Sequence, residues 1–109
     1  MTSTEKIRTI IMRRETTNDE WQAGVEKCWN ELVDALTEDI EVTRKFLLED
    51  CTADEASWVS EVYDDIARKT QSKEYIDVLR KSIERFPKEA EKHHMAEILD
   101  TAVKSVLGD

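Results

Sequence analysis

The residues best suited to chemistry lie towards the end of the chain. Glu91-Lys92-His93-His94 has the Glu-x-x-His form, and Glu89, His93 and Glu97 recur at i, i+4 and i+8. In helical bundles this spacing presents a carboxylate and an imidazole to a carboxylate-bridged metal pair. That chemistry needs the motif twice, plus one carboxylate from each of two further helices. A single copy is present, so the plainer reading is two surface histidines near a helix start. Cys28, Cys51 and the histidine pair are too dispersed for a zinc framework, which needs ligands in closely spaced pairs. A phosphate-cradling loop is excluded, because Gly24 and Gly108 are the only glycines. The neighbouring acids Asp54-Glu55 and Asp64-Asp65 resemble an acid and a base. General acid–base work needs a buried pair with separated pKa values in a concave site. Adjacent residues on a helix do not face each other, and no nucleophile or oxyanion donor adjoins them. The expectation is a chain that is not an enzyme and that uses no metal or cofactor.

The elements that must position these residues are helical nearly throughout, since apolar residues recur at i, i+3, i+4 and i+7. Thr2-Ser3-Thr4-Glu5 has the capping-box form and precedes Ile7, Ile10, Ile11 and Arg14 at that spacing. Thr17-Asn18-Asp19-Glu20 has the same form, ahead of a stripe of Trp21, Val25, Cys28, Trp29, Leu32, Val33 and Leu36. Gly24 lies within this stripe's span and costs on the order of 1 kcal/mol against Ala in a helix. A close backbone contact with a neighbouring helix would explain it. Thr37 is placed to cap a third helix, with Glu38 and Asp39 in its first turn and Ile40, Thr43, Phe46 and Leu47 inward. Thr52-Ala53-Asp54-Glu55 is a third capping box, opening onto Trp58, Val59, Val62, Tyr63 and Ile66. Ser72 caps a helix using Tyr75, Ile76, Leu79, Ile83 and Phe86, which ends before Pro87. Met95, Ile98, Leu99, Ala102, Val103 and Val106 form the last, closed by Gly108 as a C-cap. Connections of roughly two to six residues imply antiparallel neighbours. The prediction is one all-α domain over residues 1–109: a compact array of five or six helices, either an antiparallel bundle or a small HEAT-like stack of helical hairpins.

Composition agrees with that fold class and adds a charge pattern. The 109 residues carry 25 acidic and 16 basic side chains, a net charge of −9, with only 2 Gly and 1 Pro. Sandwich and doubly wound folds need turn residues that this composition lacks. Three Trp and the periodic aliphatics offer enough apolar surface to argue against a disordered acidic tail. Residues 1–14 sum to +3, residues 15–65 to −13 (sixteen acids against Lys27, Arg44 and Lys45), and residues 66–109 to +1. Direct binding to nucleic-acid backbone is disfavoured, because phosphate affinity comes from clusters of Lys and Arg. No apolar run approaches the ~20 residues of a membrane span, and no secretory apolar region precedes a cleavage site. Cys28 and Cys51 then read as reduced, buried small hydrophobes in a cytoplasmic protein.

Trp21, Trp29 and Trp58 lie on core stripes, so core packing is the default for each. Trp21, at the very start of its helix, could instead be partly exposed beside acids and serve as an interface anchor.

Residues 46–87 contain a recurring set of words: Trp58-Val59-Ser60-Glu61-Val62, then Asp64-Asp65-Ile66, then Ser72-Lys73-Glu74-Tyr75, then Phe86-Pro87. In these the chain resembles small all-helical bacterial immunity proteins of polymorphic toxin and contact-dependent growth inhibition systems. The resemblance covers about two-fifths of the chain. It implies a cytoplasmic protein that binds and neutralises a cognate toxin domain, frequently a basic nuclease. An acidic block would be steered towards such a surface, and charge pairing would help to separate cognate from non-cognate toxins. Asp19, Glu20, Glu38, Asp39, Glu41, Asp54, Glu55 and Glu61 fall at helix starts or outward faces of the acidic half, and are the candidate partner-binding residues. For each the plainer role is a cap or a solubilising charge. Asp64 and Asp65 are weaker candidates, because Arg68 and Lys69 stand at i+4 and offer local pairing. The alternative function is an acidic helical adaptor, or a nucleic-acid mimic that blocks a DNA-binding protein outside any toxin pair.

Overall fold

Side-chain caps open three of the helices among the described residues. A computed structural model of the chain describes residues 3–108. Helix α1 spans Ser3–Thr16, α2 Gln22–Thr37, α3 Ile40–Lys45, α4 Ala53–Val59, α5 Tyr63–Thr70, α6 Lys73–Arg85, α7 Pro87–Lys92 and α8 Met95–Leu107. Thr52 caps α4 in a complete capping box: its side chain accepts from Glu55 N at 3.1 Å, and Glu55 Oε1 accepts from Thr52 N at 2.9 Å. Such a cap contributes about 1 kcal/mol. Ser72 caps α6 through Tyr75 N, and Gly108 ends α8 with a left-handed φ of 76°. The capping box expected at Thr2 lies outside the described residues.

Two starts differ from expectation. Thr17 does not cap α2; its hydroxyl donates back to Arg13 O at 2.5 Å, finishing α1. Asn18 Oδ1 accepts from Glu20 N, and Trp21 becomes the N-cap residue without a side-chain cap. Thr37 likewise belongs to α2, donating to Val33 O at 2.7 Å, while Asp39 caps α3 by accepting from Glu41 N. In both cases a Thr hydroxyl finds a carbonyl four residues back and lengthens the preceding helix instead of opening the next. An additional short helix, α7, fills residues read as a connection, and Pro87 occupies its first turn, where a missing N–H costs nothing.

A π-helical turn over Phe46–Asp50 extends α3, and a 3₁₀ turn over Ser60–Val62 joins α4 to α5. Counted as continuous rods, the helices of the described residues make seven units, one more than the five or six expected because α7 is added, in an all-α array as expected. Helix α1 packs chiefly on α2, α5 on α8, and α6 against α8 and the π turn. Extents of 33 × 29 × 28 Å are those of a globule, not of an elongated stack. Its radius of gyration of 12.9 Å is that of a compact chain of this length, about 13 Å. Ile7, Ile11, Leu32, Leu36, Phe46, Leu47, Val59, Ile66, Leu79, Met95 and Leu99 are fully buried and form one core. Among the described residues no helix is long and apolar enough to cross a membrane.

The π turn displaces carbonyls from the usual ladder, and two arginines satisfy them. Arg85 donates to Leu47 O at 2.7 Å and to Cys51 O at 3.3 Å, while Arg8 donates to Asp50 O at 2.8 Å. Both guanidiniums also rest on aromatic faces, Arg8 on Phe46 and Arg85 on Phe86. Both cysteines are free and buried. Burial pushes the Cys51 thiol up to about 11 from 9.0, despite the nearby Arg85, and burial raises Tyr63 as well. Below pH 9 folded and unfolded chains both keep the thiol proton. Between pH 9 and about 11 the unfolded chain loses it first, so stability falls as pH rises, by on the order of 2 kcal/mol across the window. Denaturant midpoints measured along that range should show the fall, and Cys51→Ala should make it shallower, leaving the part that the buried Tyr63 phenol adds above pH 10; a wild-type midpoint constant from pH 9 to 11 would refute the assignment.

Candidate functional site

The acidic segment and the basic first helix meet in space. All four bases of α1 reach acids of the 15–65 block: Lys6 pairs with Glu38, Arg8 with Glu55, Arg13 with Glu31, and Arg14 with Asp19 and Glu61. The +3 of the N-terminal segment is therefore used inside the protein. Arg14 is the centre of this network. It occupies the i+7 position of the α1 apolar stripe and is 5% exposed. Its Nε and Nη2 donate to the two carboxylate oxygens of Glu61 at 2.8 and 2.9 Å, and Nη1 donates to Asp19 at 2.9 Å. The guanidinium stacks 5.0 Å from the centroid of Trp58, and Trp29 Nε1 donates to Glu61 at 3.1 Å. Burial opposes the charge on Arg14, but the hydrogen bonds with Glu61 and Asp19 outweigh it and leave its pKa above the ordinary value. The bidentate fork is the geometry that makes an arginine–carboxylate pair worth burying.

This arrangement accounts for most of the candidate partner-binding residues. Asp19 and Glu61 hold Arg14, Glu38 holds Lys6, and Glu55 both completes the α4 capping box and holds Arg8. Asp39 is the α3 N-cap, and Glu41 pairs with Arg44 three residues on. Glu20 and Asp54 remain exposed with no basic partner among the described residues. Three further acids of the same segment share that state, namely Glu15, Glu26 and Glu49. Position within a charge block does not separate bound from free carboxylates, because the deciding partners lie up to 47 residues away. Arg68 pairs with both Asp64 and Asp65, whereas Lys69 reaches Asp34.

Two of the candidates, Asp54 and Glu61, line a groove of about 360 Å³ between α4 and the α7–α8 corner, with Trp58, Glu89, His93 and Ile98. Its hydroxyls are committed to the backbone: Ser57 donates to Asp54 O at 2.6 Å and Ser60 to Ser57 O at 2.5 Å. His93 Nε2 lies 3.2 Å from Glu89 Oε2. The run from Glu89 to Glu97 is not one helix face, since α7 stops at Lys92 and His94 turns left-handed at φ 53°. Among the described residues no three His, Cys, Asp or Glu side chains stand together as metal ligands. The groove offers carboxylates and an aromatic wall, suited to holding a cationic or hydrogen-bonding group.

The tryptophans divide. Trp29 and Trp58 are half-buried and packed on the core, while Trp21 is 62% exposed. Its ring also explains Gly24. A Cβ on Gly24 would meet Trp21 Cε3 at 2.4 Å, so the close neighbour is the indole of the same helix and not a second helix backbone. No protein-family model, curated protein or solved structure matches this chain.

Proposed function

We propose that this chain is a stoichiometric inhibitor that binds a basic bacterial toxin domain through its acidic surface, acting as an immunity protein in the cytoplasm. The supporting observation is the set of exposed carboxylates on residues 15–65 left over after the α1 bases have been consumed internally. Those carboxylates stand in solvent, where a Lys- or Arg-rich surface would meet them. A nuclease that grips phosphates must present such a surface. The choice of a toxin as the basic partner rests on the resemblance of residues 46–87 to immunity proteins. Binding that covers the substrate face inhibits without any chemistry on this chain, so no cofactor is invoked.

The reading is tested by mixing purified protein with the toxin domain encoded by an adjacent gene. A 1:1 complex on size exclusion and complete loss of toxin activity at equivalence are expected. Comparable affinity for several unrelated DNA-binding proteins, with no inhibition of the adjacent toxin, would overturn it in favour of a general acidic adaptor or nucleic-acid mimic.

A further inference from the structure

The geometry points to Trp21 as a preorganised receptor for an arginine side chain of the partner, an inference that rests on the reading of a basic protein partner and names the group that partner inserts. Two independent features converge here. The indole is 62% exposed at the N-terminal end of α2, which is uncommon for so large an apolar group. Beneath it stands a glycine in a helix, where glycine is disfavoured, and only the absence of a Cβ lets the ring lie there. One indole face is thus fixed against the helix and the other is left to solvent. Asp19 and Glu20 precede it directly, and Gln22 on the first turn donates to Glu26 at 3.0 Å, which places that carboxylate on the same end of α2. Asp19 is held by Arg14, but Glu20 and Glu26, within five residues of the ring, stay exposed with no basic partner among the described residues. An electron-rich ring face in so acidic a stretch is complementary to a planar cation. Guanidinium stacks on such a face and also hydrogen-bonds to carboxylates at its edge, whereas ammonium does not stack. A ring already seated over Gly24 in the free protein lowers the ordering cost of binding.

The Gly24→Ala variant separates this role from a merely structural one. The added methyl must push the indole aside, and an exposed side chain yields more readily than the backbone, so the helix is kept while the ring moves. The probes are octa-arginine and octa-lysine peptides of equal charge, followed by the three indole N–H resonances in ¹⁵N spectra. Trp21→Phe assigns its signal. The Trp21 resonance is expected to shift with octa-arginine more than with octa-lysine, while those of Trp29 and Trp58 stay nearly fixed. Gly24→Ala should weaken octa-arginine binding about threefold or more, with a thermal midpoint at or above wild type. An unmoved Trp21 resonance, an equal response to both peptides, or undiminished binding by Gly24→Ala would overturn the inference. No toxin is used, so failure here leaves the inhibitor reading to its own test, and failure of that test leaves an arginine site standing.

Discussion

Replacing Arg14 with alanine is expected to destabilise the protein by about 3–4 kcal/mol, because it removes a buried guanidinium and leaves the partly shielded Glu61 carboxylate without its counter-charge. The loss has three parts. Glu61 loses a bidentate partner, Trp58 loses the guanidinium stacked on it, and a buried side chain is truncated next to packed neighbours. Asp19 contributes least, since its side chain is 82% exposed and water replaces the guanidinium there. Glu61, at 28% exposed, is partly reachable by water, which holds the figure near the lower end of the range for buried pairs. For a domain of this size the change corresponds to a midpoint roughly 15 °C lower. Urea unfolding of Arg14→Ala, Glu61→Gln and the double variant gives the coupling directly. The double Arg14→Met/Glu61→Met should recover much of the loss, since matched apolar replacements remove both desolvation costs. A single-variant effect below about 1 kcal/mol, of the size of an exposed pair, would contradict the buried-pair account.

The second large effect is kinetic. If the free carboxylates steer a basic partner, association should slow about tenfold or more between roughly 10 and 150 mM salt, as the Debye length contracts from about 30 to 8 Å. Dissociation should change little over the same range. Neutralising Glu15, Glu20, Glu26, Glu49 and Asp54 together to their amides should lower the low-salt association rate and flatten its salt dependence, without touching the ion pairs that hold the fold. Stopped-flow mixing with the toxin domain measures both. A wild-type association rate independent of salt would remove electrostatic steering from the account.

The fold was largely legible in the chain because its determinants are local. The caps at Thr52, Ser72 and Gly108, and the stripes of Leu32, Leu36, Ile66 and Leu79, depend on neighbours within a turn or two. Local ambiguity explains the two displaced caps, since Thr17 and Thr37 satisfy preceding carbonyls as readily as following amides. The site was less legible, because its partners are remote. Arg14 sits visibly on an apolar stripe, which marks it as an arginine needing a buried acid, yet nothing within α1 indicates Glu61, 47 residues on. The same distance hides which acids are free. Gly24 was recognisable as a close-contact glycine, but the contacting group was three residues back on the same chain. That neighbour, Trp21, stands at a helix start, where apolar spacing alone does not decide exposure.

The central claim is that this acidic helical protein protects against one particular basic toxin. It is tested most directly by growth of cells carrying an inducible copy of the adjacent toxin domain, with and without this chain. The account predicts full rescue from that toxin, no rescue from its relatives, and weakened rescue when the five free carboxylates are neutralised. Killing undiminished by a folded, abundant copy of this protein would contradict it.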